Sequence, residues 1–312
     1  MTILQLRGMH IHILIDTMKK IYLTLPIFAG ILFGSSGIFV RTLTQNGIDQ
    51  TTLLFLRFSI AIIPILTAIL VSDKKLLKIG LKDIPLIIVC ALSIIGLNLG
   101  YNESMNSVPL SLAATLLSTA PIFVIISAYI VFREKITRKK LICIFLAILG
   151  CLLMTGILED SITNIPISGI IAGVTAAIFW AVYLTASKKS IDNGNHTFTI
   201  LLYSIIIISI VLIPFTNFNQ ITEFVSINPL LSILFLIIHS TFSFALPYIL
   251  STVSLNYVES GTSSILLSGA EPLAALIFGA IIYSEIPTAL MFCGLIMTIA
   301  SMAILTRSDN QH

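Results

Sequence analysis

Residues 116–137 read LLSTAPIFVIISAYIVFREKIT, and residues 267–288 read LSGAEPLAALIFGAIIYSEIPT. Aligned at an offset of 151 residues, the two stretches share the pairs Leu116/Leu267, Pro121/Pro272, Ile126/Ile277, Ile130/Ile281, Glu134/Glu285 and Thr137/Thr288. Shared isoleucines mean little in an apolar chain. A proline within the run, a glutamate at its end and the following threonine, all in register, indicate an internal repeat. The two halves of the chain are therefore predicted to share one structure.

The amino-acid composition predicts that both halves lie in a lipid bilayer. The 312 residues are 57% hydrophobic and 10% charged, whereas soluble proteins carry about 25% charged residues. Too few polar residues are present to cover a surface in contact with water. The four cysteines lie in apolar stretches and lack the paired spacing of a metal site or a disulfide scaffold.

Ten segments are long and apolar enough to cross about 30 Å of hydrocarbon, which takes about 20 residues as a helix. They are predicted at 21–43, 52–72, 84–104, 108–132, 137–157, 166–187, 197–216, 229–251, 260–283 and 288–306. The loops between them are short and leave no room for a soluble domain. The sequence therefore predicts an all-α integral membrane protein of ten transmembrane helices.

The ten predicted helices divide into two five-helix repeats, 21–157 and 166–306. A lead of residues 1–20 and a tail of residues 307–312 flank them. The lead ends in Met18-Lys19-Lys20 before an apolar run, which is typical of a signal peptide or of a second start site. Because nine similar runs come after it, this run is interpreted as the first membrane helix rather than a cleaved signal.

Lysine and arginine residues alternate between the predicted loops, and such residues mark the cytoplasmic side of a membrane protein. They cluster in the 2–3, 4–5 and 6–7 connections and flank both termini, and the 1–2, 3–4, 5–6, 7–8 and 9–10 loops contain none. Both termini are therefore predicted to be cytoplasmic, at the cell membrane. A repeat of five helices, an odd number, makes the two halves inverted, a symmetry that many secondary transporters use for alternating access.

Several motifs accompany this pattern. The fourth helix of each half runs from a proline to a closing glutamate, as PIFVIISAYIVFRE and PLAALIFGAIIYSE. Helix 1 contains GILFGSSGIFVR, helix 2 contains LRF at 56–58, and helix 9 contains GAEP at 269–272. In these features the chain resembles the EamA-type branch of the drug/metabolite transporter superfamily. The resemblance implies a ten-helix transporter of amino acids, nucleotide-related metabolites, cations or drugs, without choosing among them.

Glu271 is the one acidic residue predicted near the middle of a membrane helix. It shares a small, polar face of helix 9 with Ser264, Ser268 and Ala275, and Pro272 beside it frees the carbonyl of Ser268. A charge inside a membrane is costly unless it is paired or protonated. Glu271 and Ser268 are therefore predicted to bind a cationic substrate group or to carry a proton. A hydrogen bond to a neighbouring helix is the structural alternative.

Two basic side chains also lie within predicted membrane helices. His239, in the middle of helix 8, is interpreted either as a proton relay with Glu271 or as a packed structural residue. Arg57, in helix 2, is expected to snorkel outward, to pair with Glu103, or to bind an anionic group of the substrate.

Aromatic and amide side chains complete the predicted substrate contacts. Helix 6 carries Trp180 and Tyr183 on one face, and helix 3 carries Asn98, Tyr101 and Asn102. Trp180 is the only tryptophan of the chain and lies in mid-span. It is therefore expected either to stack on a substrate or to fill the core.

Glu134 and Glu285 end the fourth helix of each half, where the helix dipole disfavours an acid. Each is predicted to have a specific partner, either backbone donors or a basic group. Pro121 and Pro272 are expected to place matching kinks in the two helices. All four residues are assigned structural or gating roles.

Enzyme signatures are absent from the sequence: no glycine-rich phosphate loop, no His-Glu-x-x-His and no Gly-x-Ser-x-Gly occurs. No catalytic residue, cofactor, metal or nucleic-acid partner is predicted. The expected function is a secondary transporter that moves a small metabolite or drug-like molecule across the cytoplasmic membrane by alternating access. A membrane-embedded lipid-modifying enzyme and a channel are the alternatives, but the chain shows neither clustered acids and histidines nor rings of like residues. Proton coupling, export and a homodimer stay open.

Overall fold

The computed structural model describes residues 22–108, 113, 116–154, 166–283 and 288–306, apart from the side chain of Tyr283. Within these ranges the chain is helical and contains no strand. Ten long helices come one after another: α1 Tyr22–Gln45, α2 Gln50–Ser72, α3 Ile84–Ser107, α4 Ala120–Phe132, α5 Arg138–Met154, α6 Ile167–Asp192, α7 Thr197–Leu212, α8 Pro229–Ser254, α9 Ser260–Tyr283 and α10 Ala289–Thr306. The predicted lead, the predicted tail and Glu285 lie outside the described residues.

The lengths and compositions of the helices suit a membrane. Eight of the ten are long and apolar enough to cross it, and α4 is a shorter apolar helix of 13 residues. Helix α5 has 17 residues and begins with three basic ones. The prediction of an all-α membrane protein built from two repeats is confirmed.

Basic side chains gather at one end of the bundle, where α2, α4 and α6 end and α3, α5 and α7 begin. This end is called the lysine-rich face, and its basic residues are Lys74, Lys75, Lys78, Lys82, Arg133, Lys135, Arg138, Lys139, Lys140, Lys188 and Lys189. The other end is called the opposite face. The connections at the opposite face that the structure describes, 46–49 and 213–228, contain no lysine or arginine.

Two contacts between α5 and α10 are equivalent: each becomes the other when every residue is replaced by its partner in the other half. Ser301 of α10 donates a hydrogen bond of 2.8 Å to the carbonyl of Cys143 on α5. Further along the same pair of helices, Gly294 and Gly150 lie backbone to backbone, with no room for a Cβ on either. Residues 143 and 150 precede residues 294 and 301 by the repeat offset of 151. The first contact therefore maps onto the second, as a two-fold axis between the halves requires.

A second pair of equivalent contacts joins the first helix of each half to the fourth helix of the other. A Cβ at Gly30 of α1 would lie 2.6 Å from the carbonyl oxygen of Leu267 on α9. A Cβ at Gly173 of α6 would lie 2.8 Å from the side chain of Leu116. Leu116 and Leu267 are partners in the sequence repeat, so both halves use a glycine for this close approach.

The two repeat-related prolines differ in their surroundings. Pro121 lies in the first turn of α4, after a tight turn in which the amide of Thr119 donates to the carbonyl of Leu116 (3.1 Å). Proline suits this position because the first residues of a helix need no amide donor. Pro272 lies inside the continuous helix α9. The fourth helix is therefore interrupted beside Pro121, whereas α9 continues through Pro272, and the matching kinks expected from the sequence stay a prediction.

A short helix that the sequence did not predict, Phe218–Ile227, connects α7 to α8 at the opposite face. Asn217 caps it by accepting a hydrogen bond from the amide of Asn219 (3.1 Å). Its buried Phe224 belongs to an apolar cluster formed with the ends of α1 and α2. The helix was missed because ten residues are too few to span a membrane and were assigned to a loop.

Candidate functional site

Arg57 and His239 contact each other inside the bundle. Nε of Arg57 on α2 donates a long hydrogen bond of 3.5 Å to Nε2 of His239 on α8. His239 is fully buried, and its Nδ1 lies 3.3 Å from the hydroxyl of Ser243. Because Nε2 accepts from the guanidinium, the imidazole proton resides on Nδ1, where it is donated to Ser243. The histidine therefore acts as a neutral acceptor that holds Arg57 by its Nε.

The other partners predicted for these two side chains do not contact them in the structure. Glu103 lies exposed at the end of α3, where it accepts a hydrogen bond of 3.2 Å from Ser107 and forms no ion pair with Arg57. Arg57 also does not snorkel outward, because its side chain points toward α8. His239 hydrogen bonds to Arg57 and Ser243 rather than to Glu271, so a direct relay between His239 and Glu271 is not formed.

Glu271 lies where α1 and α9 are closest. A Cβ at Gly30 would lie 3.0 Å from the amide nitrogen of Glu271, so the backbone of Glu271 faces α1. Its carboxylate is within electrostatic range of the phenols of Tyr101 on α3 and Tyr248 on α8, and the residue stays partly exposed. The side chain of Glu271 makes no hydrogen bond or ion pair with any residue that the structure describes. The structural alternative, a hydrogen bond to a neighbouring helix, is therefore not observed.

Tyr248 is the centre of an aromatic cluster between α1, α6 and α8. Its ring centroid lies 5.2 Å from that of Phe33, 5.7 Å from Trp180, 5.3 Å from Tyr183 and 4.3 Å from Phe244. Tyr248 is within electrostatic range of Arg57 as well as Glu271. Tyr248 is 3% exposed, and Phe33 is the partly exposed member of this cluster, which is called the aromatic wall.

The two aromatic residues predicted on α6 belong to this aromatic wall. Tyr183 is fully buried, and its hydroxyl is 2.7 Å from that of Thr252. Trp180 is 5% exposed and stacks on Tyr183 with ring centroids 5.4 Å apart. In this conformation both residues support the position of Tyr248 more than they line open space.

A π-helical turn at Thr241–Ala245 explains why Tyr248 was missed from the sequence. Tyr248 lies nine residues after His239, which in a regular α-helix places it on the opposite side. A π turn inserts one extra residue and rotates the remainder of the helix by about 100°. The turn therefore brings Tyr248 nearer the side of His239, and helical periodicity alone assigned it elsewhere.

The remaining predicted contacts divide between the site and its surroundings. Ser268, one turn before Glu271 on α9, is 8% exposed. Asn98 donates a hydrogen bond of 2.8 Å to the carbonyl of Ile94 in its own helix, and Asn102 is partly exposed. No group of three or more His, Cys, Asp or Glu that could hold a metal ion occurs in the described part of the chain.

Glu134 sits in a separate cluster of charges at the lysine-rich face. It accepts a hydrogen bond of 2.7 Å from Lys188 and one of 3.1 Å from the amide of Ser260. Lys140 lies 3.8 Å from Glu134 and 2.5 Å from Glu259. A basic group and a backbone donor, the two kinds of partner predicted for this acid, are thus both present. The cluster joins the ends of α4 and α6 to the start of α5 and to the α8–α9 connection.

The surroundings of Glu134 determine its charge. Burial on its own raises the pKa of this carboxyl, but the hydrogen bond and charge of Lys188, the amide of Ser260 and the charge of Lys140 outweigh it, so its pKa is lowered from the ordinary value. Glu134 is therefore ionised at neutral pH, and its side chain is 9% exposed. Lysines 140 and 188 were interpreted from the sequence as topology signals only, and their buried partner could not be inferred from loop composition.

Ten apolar helices in two inverted halves, with Arg57 and Glu271 inside membrane helices, define a multi-pass membrane protein. The family model of the EamA-like transporter family matches residues 20–156 and again residues 167–307, and the chain belongs to this family. An uncharacterized transporter of Archaeoglobus fulgidus is 30% identical over 93% of this chain and 99% of its own length. The uncharacterized transporter YxxF of Bacillus subtilis is 25% identical over 89% and 87%. A protein of known crystal structure shares the fold, with a TM-score of 0.71 and 15% identity over 90% of this chain and 95% of its own.

Proposed function

We propose that the chain is a secondary transporter that moves a small metabolite or drug-like molecule across the cytoplasmic membrane by alternating access. The halves would rock about the two-fold axis between them, exposing a central site first to one face and then to the other. The observation that carries this proposal is Glu271. A partly exposed, unpaired carboxylate inside a membrane bundle is costly, and such residues mark substrate or ion pathways.

In this proposal the substrate lies between Arg57, Glu271 and Tyr248, with Tyr101, Asn102 and Ser268 nearby. Trp180, Tyr183, Asn98 and His239 shape or support the same site. Glu271 either carries a proton or pairs with a cationic group of the substrate. The lysine-rich face is taken as cytoplasmic, and the Glu134 cluster closes it. Carriage of a molecule rather than its chemical conversion agrees with relatives that are named transporters.

The substrate is identified first. Proteoliposomes are loaded with the small-molecule fraction of a cell lysate. Mass spectrometry detects which compounds leave them faster than they leave protein-free liposomes loaded in the same way. The exported or imported compound is then used for kinetics. Failure of any compound to move with purified, folded protein would contradict the assignment of transport to this chain alone.

The role of Glu271 is tested with Glu271→Gln and Glu271→Asp at matched membrane expression. If Glu271 carries a proton, transport by the wild type depends on pH, and Glu271→Gln abolishes this dependence. The assay covers about pH 5.5 to 8, a range in which an ordinary histidine also titrates. If it pairs with a cationic substrate group, Glu271→Gln raises the half-saturating concentration and Glu271→Asp partly restores it. Glu103→Gln, at an exposed glutamate of α3, is the matched control. Wild-type kinetics and an unchanged pH profile in Glu271→Gln would exclude both roles.

A further inference from the structure

Arg57 is a guanidinium within a membrane helix for which the described residues supply no counter-ion. The ion pairs among these residues all lie in the Glu134 cluster at the lysine-rich face. The interior contact of Arg57 is the neutral ring of His239. A charge held inside a membrane bundle without a partner is unfavourable by several kcal/mol. The surroundings of Arg57 therefore favour the binding of an anion.

The way Arg57 is held leaves its binding groups available. Only Nε is engaged, by Nε2 of His239, which is itself fixed by its contact with Ser243. The two terminal amino groups of Arg57 have no hydrogen-bond partner among the described residues. They form the planar fork that matches the two oxygens of a carboxylate. His239 thus acts as a positioning residue that sets the plane of the fork.

We propose that Arg57, oriented by His239, binds the carboxylate of a transported molecule whose apolar, ring-bearing part lies against Phe33, the partly exposed ring of the aromatic wall. The inference rests on the proposed function and deepens it by naming the substrate class. A carboxylate fits better than a phosphate dianion, because one guanidinium supplies one positive charge while Glu271, which also interacts electrostatically with Tyr248, supplies a negative one. The aromatic wall favours a ring over a flexible polar chain.

Binding is measured without transport, on purified full-length protein. Trp180 is the only tryptophan in the chain, and its ring lies 5.7 Å from that of Tyr248, so its fluorescence reports on this wall. Four probes share a phenyl ring with a two-carbon linker and differ in the polar group: 3-phenylpropionate, 3-phenylpropanamide, phenethylamine and 2-phenylethylphosphonate. Calorimetric titration runs in parallel. We expect 3-phenylpropionate to bind saturably and the other three probes to bind at least about tenfold more weakly, since charged hydrogen bonds of this kind contribute that much.

Substitutions of Arg57 test whether this residue causes the preference for 3-phenylpropionate. We expect Arg57→Gln to weaken 3-phenylpropionate binding about tenfold or more. Arg57→Lys, which keeps the charge but not the fork, should give an intermediate loss. Arg41→Gln, at an exposed arginine of α1, is the control and should bind as the wild type does.

The positioning role of His239 has its own readout. His239→Gln retains an acceptor for Nε of Arg57 and should keep most of the carboxylate affinity. His239→Leu removes the acceptor and should lose affinity for 3-phenylpropionate while leaving the weak binding of the neutral amide unchanged. Equal carboxylate affinity in His239→Leu and the wild type would contradict positioning by His239.

Several results would overturn the carboxylate site. These are amide, amine or phosphonate binding to the wild type as tightly as 3-phenylpropionate does, no saturable binding of 3-phenylpropionate by either method, and undiminished binding in Arg57→Gln. If the Arg57 variants do not fold, the relative affinities of the four probes for the wild type still test the preference for a carboxylate. The transport assay with Glu271→Gln is independent of these titrations, so the proposed function and the substrate class can fail separately.

Discussion

At the scale of single residues, Glu134 is a charge that two lysines and a backbone amide hold in place. An acid at the end of a helix opposes the helix dipole, and here Lys188, Lys140 and the amide of Ser260 compensate for it. Arg57 shows the reverse situation, in which a partly exposed charge inside the bundle is positioned but not neutralised by its neighbours. Glu134 links the ends of α4, α5, α6 and α9, and Arg57 is proposed to bind an anion.

Replacing Glu134 should reveal this compensation as a pH-dependent loss of stability. Glu134→Gln leaves Lys188 and Lys140 without their buried partner, which costs about 3 kcal/mol. Because the folded-state pKa of Glu134 lies below its unfolded value of about 4.3, the loss should be complete above that pH and should disappear as the pH falls through the lowered pKa. Thermal unfolding of the wild type and the variant from neutral to acidic pH measures it. A difference that grows on acidification would contradict the assignment.

At the scale of helices, glycine spacing determines which helices pack backbone to backbone. Helices α5 and α10 meet at Gly150 and Gly294, where a side chain on either would collide with the other helix. Gly37 on α1 has open space where a Cβ would lie. The same residue type therefore has opposite sensitivity to substitution at these positions.

Substitution by alanine should have different effects on stability at the crowded Gly294 and at the open Gly37. Gly294→Ala should destabilise the protein by about 1–3 kcal/mol, because its Cβ would collide with the carbonyl of Gly150. Gly37→Ala should be neutral or stabilising by a few tenths of a kcal/mol to about 1 kcal/mol, since alanine favours a helix more than glycine does. Thermal unfolding in the same detergent compares them. Equal effects of the two substitutions would show that α5 and α10 do not pack as described.

At the scale of the whole molecule, the two faces differ although the halves are related by symmetry. The repeat offset of 151 pairs Lys140 with Met291, and the offset of 143 between Gly30 and Gly173 pairs Lys188 with Gln45. Positions equivalent to the two lysines are therefore uncharged at the opposite face. In the proposed transport cycle, ion pairs break when the lysine-rich face opens, and no equivalent lysines restrain the opposite face. The proposed carrier thus rests more readily with its lysine-rich face closed.

Cysteine labelling tests which face is cytoplasmic. Single cysteines at Asn46 and Asn219 should react with a membrane-impermeant thiol reagent added to intact cells, in a background without the native cysteines. Cysteines at Lys78 and Asn193 should react only after the cells are permeabilised, because basic loops stay on the cytoplasmic side. Labelling of Lys78→Cys in intact cells, with Asn46→Cys silent, would mean that the orientation is reversed.

The sequence by itself determined the number of membrane helices, their two related halves and the transporter family. Apolar length, charge alternation and a repeat at fixed offset are local properties that can be read along the chain. Glu271 was also recognisable, because an acid in mid-span stands out wherever the helix lies.

Only the tertiary structure decided which of these side chains meet. Arg57 and His239 are 182 residues apart and come into contact through the packing of α2 on α8. Tyr248 reaches the site because a π turn changes the register of α8, which no periodic pattern reveals. Glu134 finds its partners on α5, α6 and the α8–α9 connection. The physical reason is that a buried charge selects its partner by distance in space, and helix packing, rather than residue spacing, determines that distance.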